Sequence, residues 1–351
     1  METTKTYYCE NCGGVMEFDV DTQNIKCPNC GNEIEIELQI EKVEEHELTK
    51  RVMQSIKVQE KKSTSMECEG CGAVVEVDAT STATECPYCG SNYVMAKKQI
   101  EGIIPDGVIP FQIKKNDVGE VFRNWINGRK FAPQVLKTLY QSDKIQGIYI
   151  PFWTFDADVD ARYTAMGGTR RKEVTTDKDG NEKTITKIDW HRTSGHVDEF
   201  FDDVLIRASD KLKQDLLNSL TYNTKDIPSY SPDYMSGYCA EVYTVSLEDA
   251  HKSAQNKMKN KMMDMCRADV RKTYDDVKDV KMNLSYKNET YKYVLLPVYS
   301  TVYLFKDKEY HVLINGQNGK VIGEYPKSYI KILAIVVFII AIIAIVLYFA
   351  K

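Results

Sequence analysis

The chain has 351 residues, of which 43% are hydrophobic and 28% charged, with a formal net charge of −5. That composition is too varied for a low-complexity chain and leaves room for two or three folded units. Ten cysteines would suit the disulfides of an oxidising compartment, but their spacing points elsewhere.

The start, METTKTYYCENCGG, has no apolar stretch behind a basic one, so no signal peptide is expected. Cys9, Cys12, Cys27 and Cys30 follow as two CxxC pairs, and Cys68, Cys71, Cys86 and Cys89 repeat the spacing 59 residues later. Aligning 9–34 with 68–93 gives eleven identities in 26 positions, an internal duplication. A CxxC pair sets two thiolates on one tight turn, and Gly13, Gly31, Gly72 and Gly90 supply the left-handed backbone beneath it. Two facing pairs make a closed tetrahedral site of soft ligands, which means structural zinc with no position left for substrate. Two zinc ions per chain are expected. A unit of about 26 residues buries too little to fold alone, so each metal is worth on the order of 10 kcal/mol to its ribbon.

The sequence divides into a ribbon over 1–40, a charged and partly helical linker over 41–65, and a second ribbon over 66–98. Strands are expected at 15–20, 34–40 and 74–78. Residues 1–100 carry 10 Lys and Arg against 18 Asp and Glu, a net of −8, and the two four-thiolate zinc sites would add about −4. Phosphate binding needs the opposite sign. The ribbons therefore read as protein-contact modules, with no nucleic acid expected.

A mainly antiparallel α+β domain is expected over 102–326. It opens with a strand at 108–113 and a helix after Asn116 that places Val118, Val121, Phe122 and Trp125 on one face. A second helix is expected from Pro133. Next comes a long strand at 147–163 containing Pro151, then a hairpin pairing 172–176 with 183–190. The second half repeats the plan. A strand at 241–245 leads through the capping box at Ser246 into a helix with Leu247, Ala250, Ala254, Met258, Met262, Met265 and Cys266 on one face. A strand at 293–305, with Pro297 placed as Pro151 is, completes the suggestion of a duplicated unit.

Few residues of this domain suggest chemistry. Asp156, Asp158 and Asp160 share a strand face and suggest calcium, but a wet strand face has the same pattern. His191, His196 and Glu199 lack the spacing of a helical metal site. Cys239 and Cys266 read as buried thiols, and 316–320 is a hairpin turn, not a phosphate loop. No catalytic or cofactor-binding residue is assigned, and the chain reads as a binding protein, not an enzyme.

Residues 332–350 are uncharged, and fourteen of the nineteen are Ile, Leu, Val or Phe. At about 1.5 Å per residue they would form a helix of roughly 28 Å, the thickness of a bilayer core. A transmembrane helix is expected, with Lys327 and Lys331 marking a cytoplasmic flank. That makes a single-pass cell-membrane protein, integral to the lipid bilayer, with its N-terminal body in the cytoplasm.

With the paired knuckles, YIPFWTFDA, LLPVYSTVY and INGQNGKVIGEYPKS, the chain resembles a family of bacterial tail-anchored double zinc-ribbon membrane proteins. These are encoded beside phage-shock-protein A and SPFH (flotillin-like) genes. Members are often labelled as primosomal helicase-like or TFIIB-type proteins on the ribbon alone, and the missing nucleotide-binding loop contradicts the helicase label. The resemblance implies a membrane-anchored adaptor in an envelope stress response, with phage-shock-protein A and SPFH-family proteins as partners. It carries the metal-ligand role to the same eight cysteines. Two other readings are a membrane-tethered nucleic-acid-binding regulator and a middle domain with an unrecognised ligand or enzymatic site.

Overall fold

A computed structural model describes residues 7–36, 43–56, 63–67, 74–76, 98–100, 103–133, 136, 145–176, 182–209, 214–217, 219–241, 243–306 and 308–349. The first ribbon is a four-stranded antiparallel sheet of β1 (Tyr7–Tyr8), β2 (Val15–Asp19), β3 (Asn24–Lys26) and β4 (Glu33–Ile34), in that order. Alternation along β2 buries Met16 and Phe18, which meet Ile25 and Ile36, while Val15 and Glu17 face out. β4 ends at Ile34, short of the expected 34–40, and 37–40 lie outside the described residues.

The remaining elements are β5 (His46–Glu47), α1 (Lys50–Ser55), β6 (Ser63–Glu67), β7 (Val74–Glu76), β8 (Lys98–Ile100), β9 (Gly107–Val108) and α2 (Lys115–Asn127). They continue with β10 (Gln146–Thr176), β11 (Glu182–Phe201), β12 (Ile206–Arg207), α3 (Gln214–Leu217), β13 (Cys239–Glu241) and α4 (Leu247–Val270). β14 (Asp276–Phe305), β15 (Lys308–Asn315), β16 (Val321–Gly323) and α5 (Tyr329–Phe349) complete the chain. The described strands outside the ribbon join one twelve-stranded sheet. Among the described residues strand far outweighs helix, so the fold is strand-dominated and the expected α+β balance is corrected. The cause is strand length: β10 has 31 residues and β14 has 30. At about 3.3 Å per residue β10 is roughly 100 Å long.

β10 and β14 run antiparallel as the spine of the body. Tyr149 lies opposite Pro297 and Pro151 opposite Leu295, so the two prolines sit symmetrically about one point. The short strand of each half pairs in parallel with the long strand of the other: β9 beside Val294–Leu295, β13 beside Ile148–Tyr149. Among the described residues the two halves are thus interlocked. Beyond this centre β10, β11 and β14 extend as a three-stranded arm with α4 packed on one face.

α4 starts where Ser246 Oγ accepts the Asp249 N–H at 3.2 Å, which satisfies a free donor of the first turn. Its face buries Leu247, Ala250, Ala254, Met258, Met262, Cys266 and Val270 against Trp153, Phe155, Val159 and Tyr163 of β10. The methionine stripe is core, and each of its large apolar side chains contributes about 1.5–3 kcal/mol. α2 buries Val118 and Phe122 as expected, but its N-cap is Lys114, which makes no side-chain cap. Most of the helix expected from Pro133 lies outside the described residues. Within the expected 41–65 linker α1 is helical, and Leu48, Val52, Met53 and Ile56 pack against the arm core.

α5 is a helix whose described side chains beyond the half-buried Lys331, among them Leu333, Phe338 and Phe349, are exposed and apolar. Several of its side chains lie outside the described residues, and its longest unbroken described run is the eight residues 336–343. Among the described residues no helix is long and apolar enough to cross a membrane, a task that takes about 20 residues. The expected transmembrane helix and single-pass membrane placement are therefore withdrawn.

Candidate metal centre

The first ribbon brings Cys9, Cys12, Cys27 and Cys30 together. Cys9 Sγ is 3.4 Å from Cys30 Sγ and Cys12 Sγ is 3.5 Å from Cys27 Sγ, and all four sulfurs lie within 4.8 Å of one another. Tetrahedral zinc with bonds of about 2.3 Å needs sulfurs about 3.8 Å apart, so the set fits one such ion. The two knuckles are built alike. The Gly13 N–H donates to the Cys9 carbonyl at 2.8 Å and the Gly31 N–H to the Cys27 carbonyl at 2.9 Å. Gly13 and Gly31 have φ of 71° and 76°, where a side chain would be strained.

Backbone N–H groups also point at each sulfur. Burial raises the Cys9 thiol, but the N–H groups of Cys12 and Asn11 outweigh it and bring it down to about 7. At Cys27 the Cys30 N–H leads, and that thiol is lowered as well. Cys30 is pushed up to about 12, because the Asn32 N–H is outweighed by the neighbouring sulfurs, Cys9 first. Four sulfurs this close ionise together only around a cation. Cys9 and Cys27 are buried and Cys12 and Cys30 exposed, so the centre has one dry side and one wet side.

The ribbon is seated on the body. Ser236 Oγ donates to the Met16 carbonyl at 2.8 Å, the Phe18 N–H donates to the Ser236 carbonyl at 3.2 Å, and Phe18 meets the Tyr234 ring edge-on at 5.4 Å. Its described residues carry Glu10, Glu17, Asp19, Asp21, Glu33 and Glu35 against Lys26 alone, so its field is acidic.

Cys68, Cys71, Cys86 and Cys89 lie outside the described residues. The strands around the first knuckle of that repeat are described. Tyr7 pairs with Met16 and Tyr8 with Val15 in the first ribbon; Met66 pairs with Val75 and Glu67 with Val74 in the second. Each is displaced by the same 59 residues, so the duplication extends to strand register.

The other sites considered from sequence come apart. Asp156, Asp158 and Asp160 share a face but have separate partners: Asp158 accepts from Asn288 Nδ2 at 2.7 Å, and His196 Nε2 lies 2.6 Å from Asp160. His191 and His196, five residues apart on β11, fall on opposite faces; His191 stacks near Tyr274, and no trio with Glu199 forms. Cys266 is buried, and the Cys239 side chain lies outside the described residues. The 316–320 turn is held by Asn315 Oδ1, which accepts the N–H groups of Gln317 and Asn318.

A buried charge cluster was not foreseen. Between β11 and β12 the ladder with β10 is interrupted at 202–203 and resumes at Val204; Asp203 has φ 50°, and its N–H donates to Asp156 Oδ1 at 2.6 Å. Asp202 joins them within ligand distance. Lys292 Nζ sits 2.8 Å from Asp203 Oδ1 and 3.5 Å from Glu45 Oε1, so an ammonium pairs with one carboxylate of the trio and with Glu45. A shallow cleft of about 170 Å³ opens beside it, lined by Glu45, Asp202, Asp203, Lys225, Asp226 and Lys292 among others. Sequence gave no hint of this cluster, since its members come from four distant segments.

No protein-family model matches the chain, and no solved structure matches it. The chain is similar to the uncharacterized protein YdjG of Bacillus subtilis (strain 168), 28% identical over 242 residues, which is 69% of each chain.

Proposed function

We propose that this chain is an adaptor that does no chemistry of its own: its zinc-stiffened ribbons offer a rigid acidic surface to other proteins. The observation that carries the reading is the closed cysteine centre of the first ribbon, whose four sulfurs saturate a metal and leave no position for substrate. The ribbon carries six exposed or half-exposed carboxylates, a surface suited to basic or mixed protein partners and repelled by phosphates. The repeated register around Cys68 and Cys71 supports a second zinc held by Cys68, Cys71, Cys86 and Cys89. By the family resemblance, the partners are phage-shock-protein A and SPFH-family proteins, and the setting is envelope stress.

Two measurements test this. Metal analysis of protein prepared without chelator is expected to give two zinc ions per chain; one or none overturns the pair of sites. Tagged full-length protein is expected to capture a phage-shock-protein A homologue or an SPFH protein, and to lose it when Cys27→Ser removes the first centre. Capture that survives both this change and chelation would place recruitment elsewhere on the molecule.

A further inference from the structure

Building on the reading of the first ribbon as a metal centre, we propose that its metal state is passed to the strands of the second repeat through residues 234–241. The same position of each repeat grips that segment. In the first ribbon the Met16 carbonyl accepts from Ser236 Oγ at 2.8 Å, and the Phe18 N–H donates to the Ser236 carbonyl at 3.2 Å. In the second repeat Val75, which lies 59 positions after Met16, pairs with Glu241, and Glu76 pairs with Ala240. Equivalent strands thus hold points five residues apart on one short stretch of chain.

The chain between the two points has little slack. Gly237, at φ 83°, lets the ribbon close in, since a Cβ there would sit 3.2 Å from the Glu17 side chain. Tyr238 stacks on Phe111 at 4.1 Å, and the Phe111 carbonyl accepts from Gln23 Nε2 of the ribbon at 3.2 Å. The three residues of β13 follow at once. Among the described residues β13 is the only strand joining β6, β7 and β8 to the long strands, and β7 meets it at two positions. A joint of two residue pairs is marginal by itself, so its order depends on how firmly β13 is held. β10 holds β13 at Ile148 and Tyr149, and the ribbon holds the approach to it at Ser236. Without metal the ribbon's small core does not stay folded, and the grip on Ser236 goes with it. The strands of the second repeat are therefore held firmly when the first ribbon is loaded and loosely when it is empty. Linkage is reciprocal, so loosening β7 also weakens metal retention by the first ribbon.

The test follows amide exchange in the full chain. Cys27→Ser is expected to speed exchange at 74–76 and 240–241 about fivefold, the effect of losing one ordinary hydrogen bond, while β15 and β16 stay unchanged. Ser236→Ala keeps all four cysteines and removes only the hydroxyl that holds Met16. It is expected to speed the same amides about threefold, and Cys27→Ser added to it is expected to do less than it does in the wild type. In the other direction, Val75→Pro breaks the β7 side of the joint. Maleimide labelling of Cys12 and Cys30 in the presence of a chelator, read by mass spectrometry, is then expected to quicken about fivefold. Exchange at 74–76 and 240–241 that is the same in wild type, Cys27→Ser and Ser236→Ala overturns the proposal, as does a wild type in which 74–76 is unprotected. The metal reading fails separately, if wild-type labelling of Cys12 and Cys30 is indifferent to chelator. Ser236→Ala then judges the joint alone, faster exchange supporting it and no change overturning it.

Discussion

The ribbon and the arm solve the same problem of burying enough surface in opposite ways. The ribbon's strands have two to five residues, and its apolar interior is little more than Met16, Phe18, Ile25 and Ile36 beside two cysteines. The arm has strands of 20 to 31 residues and a 24-residue helix whose inner face is sealed along its length. A core that small cannot offset the chain entropy of some thirty residues, so a metal ion held by the four cysteines is expected to supply the difference. The arm depends on contacts spread over many residues, none of them indispensable. Loss of one group should therefore collapse the ribbon and only weaken the arm.

Removing one thiol of the cysteine cluster gives the largest contrast. Cys27→Ser leaves three thiolates and an open position, and the ribbon should lose on the order of 10 kcal/mol of metal-dependent stability. Amide exchange is expected to show 7–36 unprotected while β10, β14 and α4 keep their protection. The ribbon's seat on Ser236 and Tyr234 should loosen with it. If protection in α4 fell to the same extent, the two regions would be one cooperative unit and the contrast would fail.

The arm's most sensitive single group is Lys292. Its side chain and that of Asp203 are 9% and 8% exposed and meet at 2.8 Å, with Asp156 and Glu45 alongside. Lys292→Met keeps the packing of the stem but leaves those carboxylates without their cation, at an expected cost of about 3 kcal/mol. Adding Asp203→Asn should recover part of that, because the charge most directly stranded is then removed. Denaturant midpoints of the single and double variants measure both steps. A single-variant loss below about 1 kcal/mol would show that water, and not Lys292, neutralises the cluster.

What sequence could reveal follows the same division. The cysteine centre was legible because its geometry is local: CxxC and glycine fix each knuckle, and only the meeting of the two knuckles is tertiary. α4 was legible because Ser246 and the spacing of Leu247, Ala250, Ala254, Met258 and Met262 are properties of one helix. The length of β10 was not. Its distal part, with Gly167, Gly168, Arg170 and Arg171, has weak strand propensity and is held as strand by β11 and β14 on either side. Arg170 to Asp276 at 2.7 Å and Lys278 over the Trp190 ring at 4.0 Å are cross-strand contacts of that kind. Asp156 was misread as part of a wet face with Asp158 and Asp160. The difference at Asp156 is made by Asp203, Thr290 and Lys292, which are 47, 134 and 136 positions away.

That same carboxyl gives the smallest test, and its sign separates a buried acid from an ion-paired one. Burial is the main influence on Asp156 and pushes it up to about 6, although the Asp203 N–H, Lys292 and Thr290 all favour the charged form. A carboxyl raised in the folded state holds its proton more tightly there than in the unfolded chain. It therefore contributes stability at low pH that is lost as pH rises from the ordinary carboxylate range through about 6. Asp156→Asn keeps an oxygen for the Asp203 N–H and has no such titration. Relative to that variant, the wild-type arm is expected to lose about 1 kcal/mol between roughly pH 4 and pH 7, a figure kept small because water reaches part of the cluster. Both proteins should carry Cys27→Ser, so that acid release of metal from the ribbon does not enter the comparison. Were the ion pair with Lys292 to dominate instead, the Asp156 carboxyl would sit low and the relative stability of the wild type would climb with pH over the same interval.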